Sequence, residues 1–111
     1  MQIEMKKQEG VVILHLTGNL DADSVPLFKK RAYDLVEMGN YSLVVDCKSL
    51  QFVDSMGLGA MISLLRRVRV HKGDVKVAAL TPDVLSVFEI TRLHRLFDIT
   101  PSWEEACQKF L

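Results

Sequence analysis

Apolar runs of strand length alternate along this chain with stretches of helical period, and that alternation limits the fold more than any other feature. Leu43-Val44-Val45 is continuously apolar, and Val75 to Leu80 is broken only by Lys76, as expected of strands buried on both faces. Between them, over Met56 to His71, Leu58, Met61, Ile62, Leu65 and Val68 recur at three- and four-residue spacing, the period of an amphipathic helix. Strands separated by a helix lie parallel, joined by a right-handed crossover.

The rest of the chain extends this pattern in both directions. Ile3 to Met5 and Val11 to Leu16 read as strands joined by a polar turn at Lys7 to Gly10, so a hairpin opens the domain. Ser24 to Met38 places Val25, Phe28, Ala32, Leu35 and Val36 on one helical face, with Asp23 or Ser24 as cap, Pro26 in the first turn and Gly39-Asn40 as the stop. Thr81-Pro82 begins a third helix with Val84, Leu85, Phe88 and Leu93 inward. A short strand from Leu96 to Ile99 precedes a last helix, Ser102 to Phe110, which offers Trp103, Ala106, Cys107 and Phe110 to the body. The expected architecture is a single α/β domain over residues 1–111, a small mixed, mainly parallel sheet with about four helices packed on it, in the order ββαβαβαβα.

Composition narrows the function classes. A chain of 111 residues holds one domain and buries roughly 60–70% of its unfolded surface, so its core needs no metal or disulfide. Lys and Arg number 14, as do Asp and Glu, and the pI is about 6.8, unlike the basic balance of a protein that binds nucleic acid directly. Cys47 and Cys107 stand apart with no His at ligand spacing, which indicates neither a zinc site nor a disulfide framework. No leader pattern and no apolar stretch near the ~20 residues of a membrane span are present. The expectation is a cytoplasmic protein without membrane insertion or cofactor.

The densest non-periodic information is Val53-Asp54-Ser55-Met56-Gly57-Leu58-Gly59, between the Leu43 strand and the Met56 helix. A helix start exposes backbone amides and about half a positive charge, and therefore suits an anion. Ser55 reads either as the helix cap or as a phosphoacceptor, and the two are compatible. A small nucleotide-binding protein using Gly57-x-Gly59 is the alternative from another class, although the Lys-Ser/Thr of a phosphate loop and the full dinucleotide fingerprint are missing.

Asp54-Ser55-Met56-Gly57-Leu58-Gly59, following Val44-Val45-Asp46 and the apolar Leu50 to Val53, resembles the signature of STAS domains, particularly the bacterial anti-sigma factor antagonists. Leu16-Thr17-Gly18-Asn19-Leu20-Asp21 is similar to the family's Gly-x-Leu/Ile-Asp element ahead of the first helix. The resemblance covers essentially the whole chain. It implies partner switching: the unphosphorylated antagonist binds an anti-sigma factor that is also a serine kinase, phosphorylation of the serine ends that binding, and a PP2C-type phosphatase restores it. By position, Ser55 would be the phosphoacceptor, and Asp21, Asp54, Ser55, Met56 and Gly57 would form the partner-binding surface, with no catalytic residue. Met56 stands where family members often carry a second hydroxyl, and Asn19 where an acidic residue is common. A non-switching STAS subunit of a membrane transport assembly is the alternative within the fold.

Other candidates have simpler readings. His15, His71 and His94 are far apart in sequence, and His15, inside an apolar strand, reads as a hydrogen-bonded structural residue rather than part of a triad. Arg66, Arg67 and Arg69 fit either a solvated helix face or an acidic partner, and Cys47 reads as a small core residue.

Overall fold

The structure is a computed structural model that describes residues 1–111. Five strands form one sheet in the order β1-β2-β3-β4-β5: β1 (Gln2–Gln8), β2 (Val11–Leu20), β3 (Ser42–Val53), β4 (Asp74–Ala78) and β5 (Asp98–Thr100). β1 runs antiparallel to β2 and every other neighbour is parallel. Four helices intervene, α1 (Val25–Glu37), α2 (Ser55–Arg69), α3 (Pro82–Ile90) and α4 (Trp103–Gln108), so the element order is the expected ββαβαβαβα.

Several boundaries differ from those expected. The first turn contains only Glu9 and Gly10, both with positive φ (52° and 82°), the backbone of a two-residue hairpin turn matched to strand twist. β4 stops at Ala78 because Ala79 turns left-handed (φ 58°), and α3 ends before Leu93, which sits in a 3-10 turn over Leu93–Arg95. β5 begins at Asp98, two residues later than the apolar pattern suggests.

Strand alternation divides the core unequally. Val12, Leu14 and Leu16 of β2 and Leu43, Val45 and Cys47 of β3 face a large cluster with Phe28 and Ala32 of α1, Met61, Leu64 and Leu65 of α2, and Val84 and Phe88 of α3. Val11, Ile13, Val44 and Ala78 point the opposite way, to a small cluster covered by Ala106 and Cys107 of α4 with Trp103 and Phe110 at its edge. That second face is partly polar. His15 Nδ1 lies 2.7 Å from Asp46 Oδ2 and its ring meets Trp103 edge-on, while Lys76 donates to Asp74 and Asp98. His15 is thus the hydrogen-bonded structural histidine expected, and Cys47 is fully buried, where desolvation pushes its thiol far above the usual range and leaves it unreactive.

β2 and β3 continue past the end of β4. Pairing with β4 stops at Asp46, whereas pairing with β2 runs on to Leu20 opposite Val53. This two-stranded extension carries the link between β3 and α2.

Candidate functional site

Two register shifts shape the extension. Gly18 pairs with Leu50 and Asn19 with Phe52, so Gln51 is an extra residue on β3, the arrangement of a β-bulge. Strict alternation would send Phe52 inward with Leu50. The bulge instead buries Leu50 and Val53 and turns Phe52 out, 52% exposed. The sequence pattern reads Leu50 to Val53 as one apolar run and so passes over Phe52; the interval of three between two inward residues is the signal that marks it.

Asp54 then starts α2. It is the N-cap, its Oδ1 accepting from the Gly57 N–H at 2.8 Å. Its Oδ2 accepts from the Ala22 N–H at 3.1 Å, and its own N–H donates to the Leu20 carbonyl. One carboxylate therefore ties the start of α2 to the link between β2 and α1. The reading of Ser55 as cap is corrected: the Asp54 carboxylate already satisfies the Gly57 amide. Ser55 is the first helical residue, exposed, and its hydroxyl makes no hydrogen bond within the chain. The helix start is also not as open to an added anion as its sequence suggests, because Asp54 supplies one.

Gly57 has a packing reason. A Cβ there would lie 2.2 Å from the Leu20 carbonyl oxygen, so α2 approaches the end of β2 only because this residue has no side chain. Gly59 is exposed, and a Cβ at that position would have nothing within 4 Å. With Gly57 buried and its amide donated to Asp54, Gly57 closes a packing contact rather than opening a phosphate cradle.

Asp21 comes to the same end. Its Oδ1 accepts from the Asp23 and Ser24 N–H groups, both at 3.1 Å, while Ser24 Oγ accepts from the Asp21 N–H and donates to the Asn19 carbonyl. Ser24 is the N-cap of α1 by position, but its side chain does not cap the helix; the Asp21 carboxylate holds the Asp23 and Ser24 amides of the preceding turn, and the Asp21 carbonyl accepts from the Val25 N–H. Asp21, Asp23 and Asp54 thus gather on adjoining links, and no cation lies within 4.0 Å of any of them. Met56, 56% exposed, joins Phe52 as apolar surface beside Ser55. The resulting surface has an unbonded hydroxyl at Ser55, exposed apolar side chains at Phe52 and Met56, and carboxylates that no cation neutralises on the adjoining link.

The STAS domain family model matches residues 2–106. Among characterised relatives, the chain is 26% identical over 108 residues to the anti-sigma-B factor antagonist of Bacillus subtilis (strain 168), covering 97% of this chain and 98% of the relative. A crystal structure from Thermotoga maritima superposes with a TM-score of 0.92 at 24% identity, covering 96% of this chain and 92% of that one. The Bacillus cell fate determinant SpoIIAA in its phosphorylated form superposes at 0.79 with 20% identity, covering 99% of this chain and 100% of that one. The β-α order, the mixed, mainly parallel sheet and the match over nearly the full length agree, and the chain belongs to the STAS domain family.

Proposed function

We propose that this protein is an anti-sigma factor antagonist that works by partner switching. With Ser55 unmodified it binds an anti-sigma factor that is also a serine kinase; phosphate on Ser55 ends that binding, and a PP2C-type phosphatase restores it. Phosphoryl transfer, with its ATP and magnesium, belongs to the kinase, and this chain is the substrate and binding module. Such a cycle runs in the cytoplasm.

One observation carries the reading: Ser55 is exposed at a helix start with its hydroxyl unbonded, whereas Ser24 and Ser63 hold their hydroxyls in internal hydrogen bonds. The partner-binding surface is assigned to Ser55, Met56 and Phe52, with Asp21 at its edge. Asp54 and Gly57 act differently from the outward residues: both oxygens of Asp54 are engaged within the chain, and Gly57 is buried, so they hold Ser55 in place. The uncompensated carboxylates suit a partner that presents Lys or Arg. Phosphate, adding about 1.5–2 negative charges among them, opposes close packing of the same partner.

The test incubates the protein with its cognate anti-sigma kinase and ATP and locates phosphate by mass spectrometry. A single phosphate, absent from Ser55→Ala, is expected. Modification that persists in that variant, at Ser49 for example, overturns the assignment.

A further inference from the structure

The far end of α2 carries a second surface of different chemistry. Residues 55–73 and 90–97 contain six basic residues and no acidic one, while the remainder of the chain carries eight basic and fourteen acidic. The fold joins these two segments: Arg69 Nη2 donates to the Leu96 carbonyl at 3.2 Å, bringing the last turn of α2 against the 3-10 turn after α3. Arg66, Arg92 and Arg95 are exposed and have no acidic partner within 4.0 Å; Arg69 reaches only Asp74, at 3.8 Å. Three apolar side chains are exposed in the same stretches, Val70 (80%) at the end of α2 and Ile90 (83%) and Leu96 (37%) in the second segment.

Cations in the last turn of a helix complement its dipole, which accounts for Arg66 and Arg69. It accounts for neither the exposed Val70 nor Arg92, which holds left-handed backbone (φ 62°) after α3, where glycine fits more easily. We propose that this face is a docking surface for an acidic segment of a protein partner, one whose apolar residues cover Val70 and Leu96 while its carboxylates meet the arginines. A guanidinium donates two parallel hydrogen bonds to one carboxylate, so the charge on this face is matched in geometry as well as sign. An extended anionic surface, either a membrane or a duplex, is disfavoured. It would also lie over Asp74, whose carboxylate is 3.8 Å from Arg69 at the border of this face and so well inside a Debye length of about 10 Å. A short acidic segment touches the basic face alone.

α2 has 15 residues, so about 22 Å separate this face from Ser55. Both surfaces can be occupied together, and docking here is independent of the state of Ser55. The probe is a synthetic amphipathic helical peptide with a leucine face flanked by glutamates, titrated into the ¹⁵N-labelled chain. Saturable binding is expected, with shifts at Arg66, Val70, Arg95 and Leu96, none at Ser55 or Met56, and equal affinity in Ser55→Glu. Arg66→Glu combined with Arg95→Glu should weaken binding about tenfold or more, and Val70→Ser by a smaller factor, both with an unchanged circular dichroism spectrum; losing the dipole complement at Arg66 lowers the melting temperature of the double variant by only a few degrees. The proposal is overturned by absence of saturable binding, by shifts located elsewhere, or by indifference to charge reversal. Tighter binding of phosphatidylglycerol vesicles or duplex DNA than of the peptide, or self-association through this face in sedimentation, also overturns it.

Discussion

At the scale of single residues, two glycines in the same turn of one helix face opposite outcomes. Gly57→Ala places a methyl against the Leu20 carbonyl, which is backbone and cannot move aside without displacing the end of β2. A loss of at least about 2 kcal/mol is expected in denaturant unfolding. Gly59→Ala meets open space in a helical, exposed position and should gain about 0.5–1 kcal/mol in the same measurement. Nothing in the sequence separates these glycines, because the difference lies in what β2 brings up against one of them. Asp54 teaches the same lesson. The motif points to Ser55, and the residue beside it is the cap because its second oxygen has a use, the Ala22 N–H, that only the tertiary fold supplies. Asp54→Ala removes both bonds and should cost about 1–2 kcal/mol. Asp54→Asn, which keeps an acceptor oxygen, should recover part of the loss.

Among the elements, α4 is the most dependent on its surroundings. Six residues are too few to persist as an isolated helix, and Trp103, Ala106 and Cys107 hold it to the minor face of the sheet. Ions fasten its far end: Lys109 Nζ lies 2.8 Å from Asp98 Oδ1, and Lys76 Nζ 3.2 Å from Asp98 Oδ2. The hydrogen bond from Lys109 chiefly, with that from Lys76, holds the Asp98 carboxyl below its usual value against a smaller opposing effect of desolvation. A depressed carboxyl contributes stability above its unfolded value, near 3.8, and loses that contribution as pH falls through its folded value. Lys109→Met should therefore melt below the parent protein at about pH 6, and the gap should narrow as pH falls below about 4. A gap that stays constant or widens in acid would show that Lys109 acts by packing. Long periodic elements such as α1 and α2 are legible because burial on one face leaves a pattern over several turns. β5 is displaced by two residues because a three-residue strand leaves no period to read, and its start depends on Asp98 meeting Lys76 across the sheet.

Across the whole molecule, the question is whether phosphate at Ser55 changes the fold or only the surface. The start of α2 already contains the Asp54 carboxylate, so a phosphate adds a second negative group close to the first. Against this repulsion stand the positive end of the helix dipole and the amides of Ser55 and Met56, which have no acceptor within the chain. These opposing effects are each of the order of 1 kcal/mol at an exposed site, and neither approaches the energy of the core of 25 buried residues beneath. The Gly57 contact is buried and the bond from its amide to Asp54, the clip at this link, is half-buried, whereas Ser55 is exposed. The phosphorylated protein should therefore keep its circular dichroism spectrum and melt within a few degrees of the unmodified form. Binding is where the charge acts. A partner packed against Ser55, Met56 and Phe52 would have to bury or displace the phosphate, and a hundredfold loss of affinity needs only about 2.7 kcal/mol. Ser55→Glu should reproduce part of that loss, since one carboxylate has less charge and fewer acceptor oxygens than phosphate. Calorimetric titration of the three forms with the kinase, alongside their thermal melts, separates the possibilities. A large drop in affinity at constant melting temperature fits a surface switch, and a collapse of the melt or loss of helical signal would show instead that the phosphate breaks the Asp54 clip.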